Sequence, residues 1–284
     1  MVVHELRQKY PLRILLQIAD LSRSTYYYNI ASKDKDEKNK EIIDAIFAIF
    51  EKHSGMYGYR RIAAELRNSG QIVNVKKVRR LMRREGLRAK QREKKKYSSY
   101  KGTVGTVAEN LIQRNFVASH PNEKWFTDVT EFNLRGEKCY LSPIMDAYGQ
   151  AIVASNISRT PNLKQVYEML NDAFSNNPDL EGLVFHSDQG WQYQHDTYVA
   201  RLKSKGILQS MSRKGNSMDN GLMENFFGIL KCEMFYGQED KYETIDDLMR
   251  AINEYIDYYN NDRIKLKLNG RTPAQFRNSS IKSY

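Results

Sequence analysis

The sequence has 284 residues, 40% hydrophobic and 11% aromatic, enough for a sizeable core and, at ~100–200 residues per domain, for two domains. Lys and Arg outnumber Asp and Glu 45 to 34, for a formal net charge of +11. No run of ~18 apolar residues is present to span a membrane, and MVVHELRQKYPLRILLQIAD lacks the charged-then-apolar pattern of a leader, so a cytoplasmic location is expected.

Residues 1–35 read as a small helical segment, with Leu12, Ile14, Leu15 and Ile18 at apolar spacing and a turn at 21–25. A helix is expected over 37–52, because Ile42, Ile46, Ile49 and Phe50 recur at helical intervals. A second is expected over 59–68, stopped by Asn68-Ser69-Gly70, and a third after Asn74, a good N-cap. The third carries Val75, Val78, Leu81 and Met82 against Lys76, Lys77, Arg79, Arg80, Arg83 and Arg84. Two short helices of which the second is basic match a helix-turn-helix that reads a DNA groove and its phosphates, here over 36–87. From Lys76 to Lys96 there are twelve Lys or Arg and two Glu, so nearly all the net charge lies in one segment. Residues 88–110, polar and basic, read as a linker.

A different pattern occupies 111–240. Strand-like runs at Trp125–Leu134, Cys139–Asp146 and Ala151–Ile157 are joined by short turns, which implies an antiparallel meander. A helix over 162–174, a short strand over 183–186, a helix over 197–205, a strand over 207–211 and a helix over 221–234 follow. The order β-β-β-α-β-α-β-α is that of the ribonuclease H-like mixed sheet, so an α/β catalytic core preceded by an all-α region is expected. Residues 241–284 read as one more helix, Ile245–Tyr259, and a basic tail.

Three acidic residues stand out by context. Asp128 lies in the first strand, Asp188 ends the fourth, and Glu224 sits in the helix after the fifth. A carboxylate among apolar strand residues needs compensation, and a divalent cation supplies it. Carboxylates converging from two strands and a helix suit Mg²⁺ or Mn²⁺, in a two-metal pair that acts on a phosphodiester. Spacing alone is weak evidence among 34 acidic residues. On the Glu224 helix, Gly228 and Lys231 share the Glu224 face, which would let Lys231 reach a DNA phosphate. Asp146 is a rival ligand, although a turn role suits it better. Asp219 or Asn220 is expected to cap the Glu224 helix, and His186 to be packed rather than a base. Trp191 and Tyr193, after Asp188, either stack on unpaired bases or pack. Cys139 and Cys232 are expected as reduced, packed thiols, and no Cys or His spacing suggests zinc.

These stretches resemble one family. Asn122–Thr130 is similar to the first signature of transposases with a retroviral-integrase-type core, His186–Gly190 with Tyr193 to the second, and Met218–Asn220 with Glu224, Phe226, Phe227 and Lys231 to the third. Tyr57–Ile62 and Val78–Met82 resemble the family's helix-turn-helix, including Arg60 and Arg61, and Tyr259-Asn260, Arg263, Leu268, Thr272-Pro273 and Phe276 resemble its C-terminal signature. The group is the second-reading-frame (OrfB) protein of the insertion-sequence three, IS150-like, family. Lys265 departs from it, standing where a His is expected.

The resemblance implies a DDE strand transferase using Mg²⁺. Asp128, Asp188 and Glu224 would be its catalytic triad, acting on DNA at the element's terminal repeats and on target DNA. It also implies a homo-oligomer on DNA and a first-reading-frame (OrfA) partner or fusion. Two other classes stand beside it: a structure-selective or RNA-cleaving nuclease on the same fold, which the basic helix-turn-helix argues against, and a non-catalytic DNA-binding protein, which the complete triad argues against.

Overall fold

A computed structural model describes residues 2–28, 39–90 and 107–281, so the cations at 91–96 lie outside the described residues. The chain forms two units, Met1–Arg88 and Ala89–Tyr284.

The first unit opens with α1 (Val2–Leu6), α2 (Leu12–Ile18) and a helical turn over 23–28. Three helices follow: α3 (Lys40–Lys52), α4 (Tyr59–Asn68) and α5 (Val75–Arg84). Ile46, Ile62, Ala63, Leu66, Val78, Leu81 and Met82 bury their side chains, one stripe from each helix. Tyr57 is wholly buried and stacks on His53 with ring centroids 3.7 Å apart. The α4 stop is a Schellman turn: Gln71 N–H reaches back to the Leu66 carbonyl at 2.7 Å, and Gly70 takes the left-handed φ of +88° that this requires. Asn74 caps α5 as expected, its Oδ1 accepting the Lys76 N–H at 2.8 Å.

The second unit is built on one mixed sheet. Its strands are β1 (Lys124–Thr127), β2 (Thr130–Leu134), β3 (Glu137–Asp146), β4 (Ala151–Ser158), β5 (Val184–Ser187) and β6 (Leu208–Met211). β3 pairs antiparallel with β4 on one side and with β1 and β2 on the other, while β5 and β6 continue from β1 in parallel. Successive residues point to opposite faces. Phe126 and Met145 pack under α8 (Gly221–Leu230) and α9 (Ile245–Asn261). Trp125, Ile144 and Phe185 pack under α6 (Leu163–Asn176) and α7 (Asp196–Lys203).

One expected strand, Trp125–Leu134, is interrupted at Asp128–Val129. The register does not slip across the gap: Thr127 pairs with Ile144 and Thr130 with Leu141, which places Asp128 opposite Pro143. Ala147 N–H bonds the Lys124 carbonyl at 2.9 Å, so bonded pairs fall at 124/147 and every second residue onward, including 128/143. Pro143 has no N–H to give there, and the ladder opens at the acidic residue.

The tail beyond α9 is also structured. Thr272 Oγ1 accepts the Gln275 N–H at 3.2 Å and Gln275 Oε1 accepts the Thr272 N–H at 3.0 Å, a capping box that starts α10 (Pro273–Ile281). Arg277 of α10 donates to Asp146 at 3.0 Å and to Asn122 and Asn177, both at 2.8 Å. Nearby, buried Arg263 donates to Glu233 at 2.8 and 2.6 Å. Lys265 donates to Gln150 Oε1 at 2.9 Å and to the Tyr259 hydroxyl at 2.6 Å, so a cation at this departure from the family pattern fastens the C-terminal turn to the β3–β4 turn. On β4, Asn260 accepts the Ile152 N–H at 2.9 Å and donates to the Ile152 carbonyl at 2.8 Å.

Asp146 is fully buried, and burial raises its pKa against the pull of Asn122, Arg277 and Tyr148. Arg277→Ala strands that anion, at a cost of about 3–5 kcal/mol. The midpoint of thermal unfolding is expected to fall by roughly 10 °C at pH 7. Because the folded-state pKa of Asp146 rises further in the variant, the folded form binds more protons than the unfolded form above pH ~3.9, and stability falls as pH rises through that window. The deficit is therefore expected to shrink toward acid pH, and a deficit independent of pH would show that the anion is not its source.

Candidate active site and nucleic-acid surface

Asp128 follows the fully buried Trp125-Phe126-Thr127, Asp188 follows the buried Phe185-His186-Ser187, and Glu224 lies in the first turn of α8. β1 and β5 are parallel neighbours, with Phe126 paired to His186, so both aspartates emerge at the same end of the sheet. Asn220, just before α8, donates to the Thr127 carbonyl at 3.1 Å and ties that helix start to the Asp128 strand.

The charges interact. Burial pushes the Asp128 carboxyl well above the usual range, the Asp188 charge adds to this, the Val129 N–H opposes it, Glu224 raises it further and Lys231 opposes. Burial also raises Asp188, against its bond from Gly190. Each aspartate gives one oxygen to its own backbone: Asp128 Oδ1 accepts the Val129 N–H at 2.8 Å and Asp188 Oδ1 the Gly190 N–H at 2.8 Å. No hydrogen bond or ion pair engages Glu224 among the described residues. The three share one electrostatic neighbourhood, and among the described residues no three His, Cys, Asp or Glu are gathered as a metal cluster.

The donor set nevertheless suits a hard divalent cation. It comprises three carboxylates, two of them with a second oxygen that accepts no hydrogen bond among the described residues. Asn220 Oδ1 is buried without a hydrogen-bond partner and adds another hard oxygen beside the Asp128 strand.

Lys231 directly follows Leu230, the last residue of α8, in helical backbone conformation. It opens a π-helical turn, Lys231–Phe235, and its Nζ donates to the Glu131 carbonyl at 2.7 Å and lies 4.9 Å from the centre of the Phe132 ring. Burial pulls its pKa down to about 8, against the attraction of Glu131 and Asp128.

His186 is packed, with Nδ1 2.8 Å from Ser210 Oγ and Nε2 3.2 Å from Ser212 Oγ, and burial lowers its pKa to about 4. Asp146 is no part of the site; Arg277 occupies it. Asn220 holds the N-cap position of α8 but makes no side-chain cap bond. Asp219, the other expected cap, instead accepts from Arg213 at 2.9 Å and Arg114 at 3.0 Å, which hold its carboxyl far below the usual range. No sequence pattern joins Arg114 to Asp219, and the clamp was not foreseen; nor was the bond from Asn220 to Thr127.

In the first unit, Lys76, Arg79, Arg80 and Arg83 recur at i, i+3, i+4 and i+7 on α5 and are all exposed, opposite buried Val78, Leu81 and Met82. Lys77 is half-buried, and exposed Arg84 pairs with Glu85 at 2.8 Å. Exposed Arg60 and Arg79 both lie 5.5 Å from the centre of the Tyr59 ring, and half-buried Arg61 lies 5.4 Å from that of Tyr57.

A six-stranded mixed sheet with the meander on one side, parallel strands on the other and acidic residues at adjacent strand ends defines an integrase-type polynucleotidyl transferase core. Family models agree. Residues 118–217 and 224–281 match two integrase core domain models, and 37–95 match an HTH-like domain. The chain is 46% identical to the putative transposase InsK for insertion sequence element IS150 of Escherichia coli K12, over 98% of each chain. It is 30% identical to the transposase InsF for insertion sequence IS3A of the same organism, over 96% of each. It is 40% identical to the probable transposase for insertion sequence element IS1353 of Shigella flexneri, over 98% of this chain and 54% of that one. Among solved structures, the HTLV-2 integrase catalytic core domain in complex with magnesium matches 57% of the chain and 99% of its own, at 20% identity and a TM-score of 0.47. The chain belongs to the insertion-sequence transposases of the IS3 family, IS150-like group, and is an enzyme of DNA transposition.

Proposed function

We propose that this transposase cuts and joins DNA strands at the ends of its element with Asp128, Asp188 and Glu224 as both catalytic residues and ligands of a Mg²⁺ or Mn²⁺ pair. The observation that carries this reading is the placement of Asp128 and Asp188 just past the adjacent ends of parallel β1 and β5, with Glu224 of α8 close enough for its charge, like that of Asp188, to raise the Asp128 carboxyl. Divalent cations there would activate the attacking oxygen and stabilise the leaving oxygen of a phosphodiester. The protein's part is to hold hard oxygens against the cations, and to offer Lys231 to the phosphate beside Asp128. Lys231, with a pKa of about 8, carries its charge at neutral pH. Water attacks first at the element end, and the freed 3′-OH then attacks a second phosphodiester.

Lys76, Lys77, Arg79, Arg80, Arg83, Arg84, Arg60 and Arg61 are proposed to bind the DNA, mainly through phosphates. The longer IS1353 relative supports a first-frame partner or fusion, because this chain spans about half of it. Copies are proposed to assemble on DNA.

The direct test is incubation of purified protein with linear DNA carrying the sequences that flank its gene, with and without Mg²⁺, reading nicks and joined products. Metal-dependent nicking and joining are expected. A protein that binds ends but never cuts, even with Mn²⁺ and a supplied first-frame protein, would leave it a non-catalytic binder.

Gly190 offers a sharper lever. A Cβ there would meet Gln192 Nε2 at 2.6 Å and Asp188 Oδ1 at 2.9 Å. Gly190→Ala is expected to displace the Asp188 carboxylate and lower cleavage by about 10- to 100-fold, since misplacement of about 1 Å costs that much. Unfolding temperature should change little. Unaltered cleavage would remove Asp188 from the reacting centre.

A further inference from the structure

The turn after Asp188 separates two aromatic residues. Tyr193 is wholly buried, its ring edge-on to Tyr198 at 5.5 Å and its hydroxyl 3.5 Å from Thr127 Oγ1. Trp191 is 47% exposed and has no aromatic or cation–π partner among the described residues. The turn that carries it is tightly held. Gly190 N–H bonds Asp188 Oδ1 at 2.8 Å, Gln194 Nε2 bonds the Gln189 carbonyl at 2.6 Å, and Gln189 Nε2 bonds the Ser212 carbonyl at 3.0 Å. Gln209 Nε2 bonds the Tyr193 carbonyl at 2.7 Å. A large, flat, apolar side chain is thus left in water on a rigid mount, three residues from a carboxylate of the site.

Resting on the proposed function, we infer that Trp191 is a stacking platform for an unpaired DNA base next to the phosphate held at Asp188. Three residues of chain span at most about 10 Å, and successive nucleotides rise about 3.4 Å, so the indole lies within two or three nucleotides of that phosphate. An aromatic face accepts any base and gains little from one already stacked in a duplex, so its preference is for frayed or single-stranded tips. The anchored turn lowers the entropy cost of presenting the ring. Trp191 is therefore a positioning residue: it holds a strand end splayed while other groups carry out the chemistry.

The chain has two tryptophans, and Trp125 is fully buried in the sheet, so a fluorescence change on DNA binding reports Trp191. The probes are a 25-base-pair duplex with a blunt end, the same duplex with a three-nucleotide unpaired 3′ tip, and that tip made of abasic sites, all in Ca²⁺ so that no chemistry intervenes. Emission is expected to be quenched by the unpaired tip and not by the abasic one. Trp191→Phe should abolish the quenching yet keep the preference for the base-bearing tip, since Phe still stacks. Trp191→Ala should lower that preference by about five- to a hundred-fold and bind the blunt duplex as the parent does. Equal quenching by abasic and base-bearing tips, or an undiminished preference in Trp191→Ala, overturns the inference. The reading is independent of cleavage: a protein that stacks tips but never cuts DNA sinks the proposed mechanism alone, and one that cuts without stacking sinks this inference alone.

Discussion

Glu224→Gln protein is expected to fold, to bind DNA with parental affinity, and to lose strand cleavage and joining by roughly a thousand-fold or more, about 4 kcal/mol of transition-state stabilisation. The substitution keeps volume, so no cavity opens in the α8 face that packs Met223, Phe226, Phe227 and Leu230. It also removes one of the two acidic neighbours that raise the Asp128 carboxyl, so the unliganded protein should be no less stable at neutral pH than the parent. What it loses is a full negative charge and a hard ligand, and the two aspartates alone position a cation poorly. The measurements are thermal unfolding, a gel shift and a cleavage assay on the same preparation. Parental cleavage by a folded Glu224→Gln protein would discard the triad. Loss of binding together with cleavage would show instead that Glu224 serves the DNA surface.

Replacing Lys76, Arg79, Arg80 and Arg83 together by Ala should act on binding alone. Each phosphate neutralised contributes about −0.9 to the slope of log affinity against log salt, so four contacts contribute about −3.6. Over a rise from 50 to 200 mM salt, that share amounts to about a hundred-fold in affinity. The variant is expected to bind far more weakly at low salt and to show a slope shallower by about 3 to 4. Its helical content should persist, because Val78, Leu81 and Met82 are untouched and Ala favours helix. An unchanged slope would move the phosphate contacts elsewhere in the chain.

Much of the fold was legible because its signals are local. Hydrophobic spacing gave the helix over 59–68, and Asn74 marked the start of the next. The five-strand order followed from alternation and turn residues. The break at Asp128 was not legible, since its cause is Pro143, on the far side of a pairing that no single segment reveals. The α10 helix was legible and missed: Thr272-Pro273-Ala274-Gln275 combines a capping box with a proline at the first helical position, but sits in a stretch read as basic tail. For the candidate site, context picked out Asp128, Asp188 and Glu224, but the bonds that Asp128 and Asp188 accept from the following backbone depend on φ and ψ, which composition does not encode. The Arg114–Asp219 and Arg277–Asp146 pairs span 105 and 131 residues, beyond any periodicity.

The double bond between Asn260 and the Ile152 backbone has a consequence for crowding. An outer strand with open N–H and C=O groups is a template on which another chain can zip, and proteins concentrated on one stretch of DNA meet one another at high local density. At Ile152 both groups are already taken by a side-chain amide that imitates a neighbouring strand. Edge-to-edge pairing is blocked at that rung, so another chain cannot extend the sheet through the Ile152 backbone.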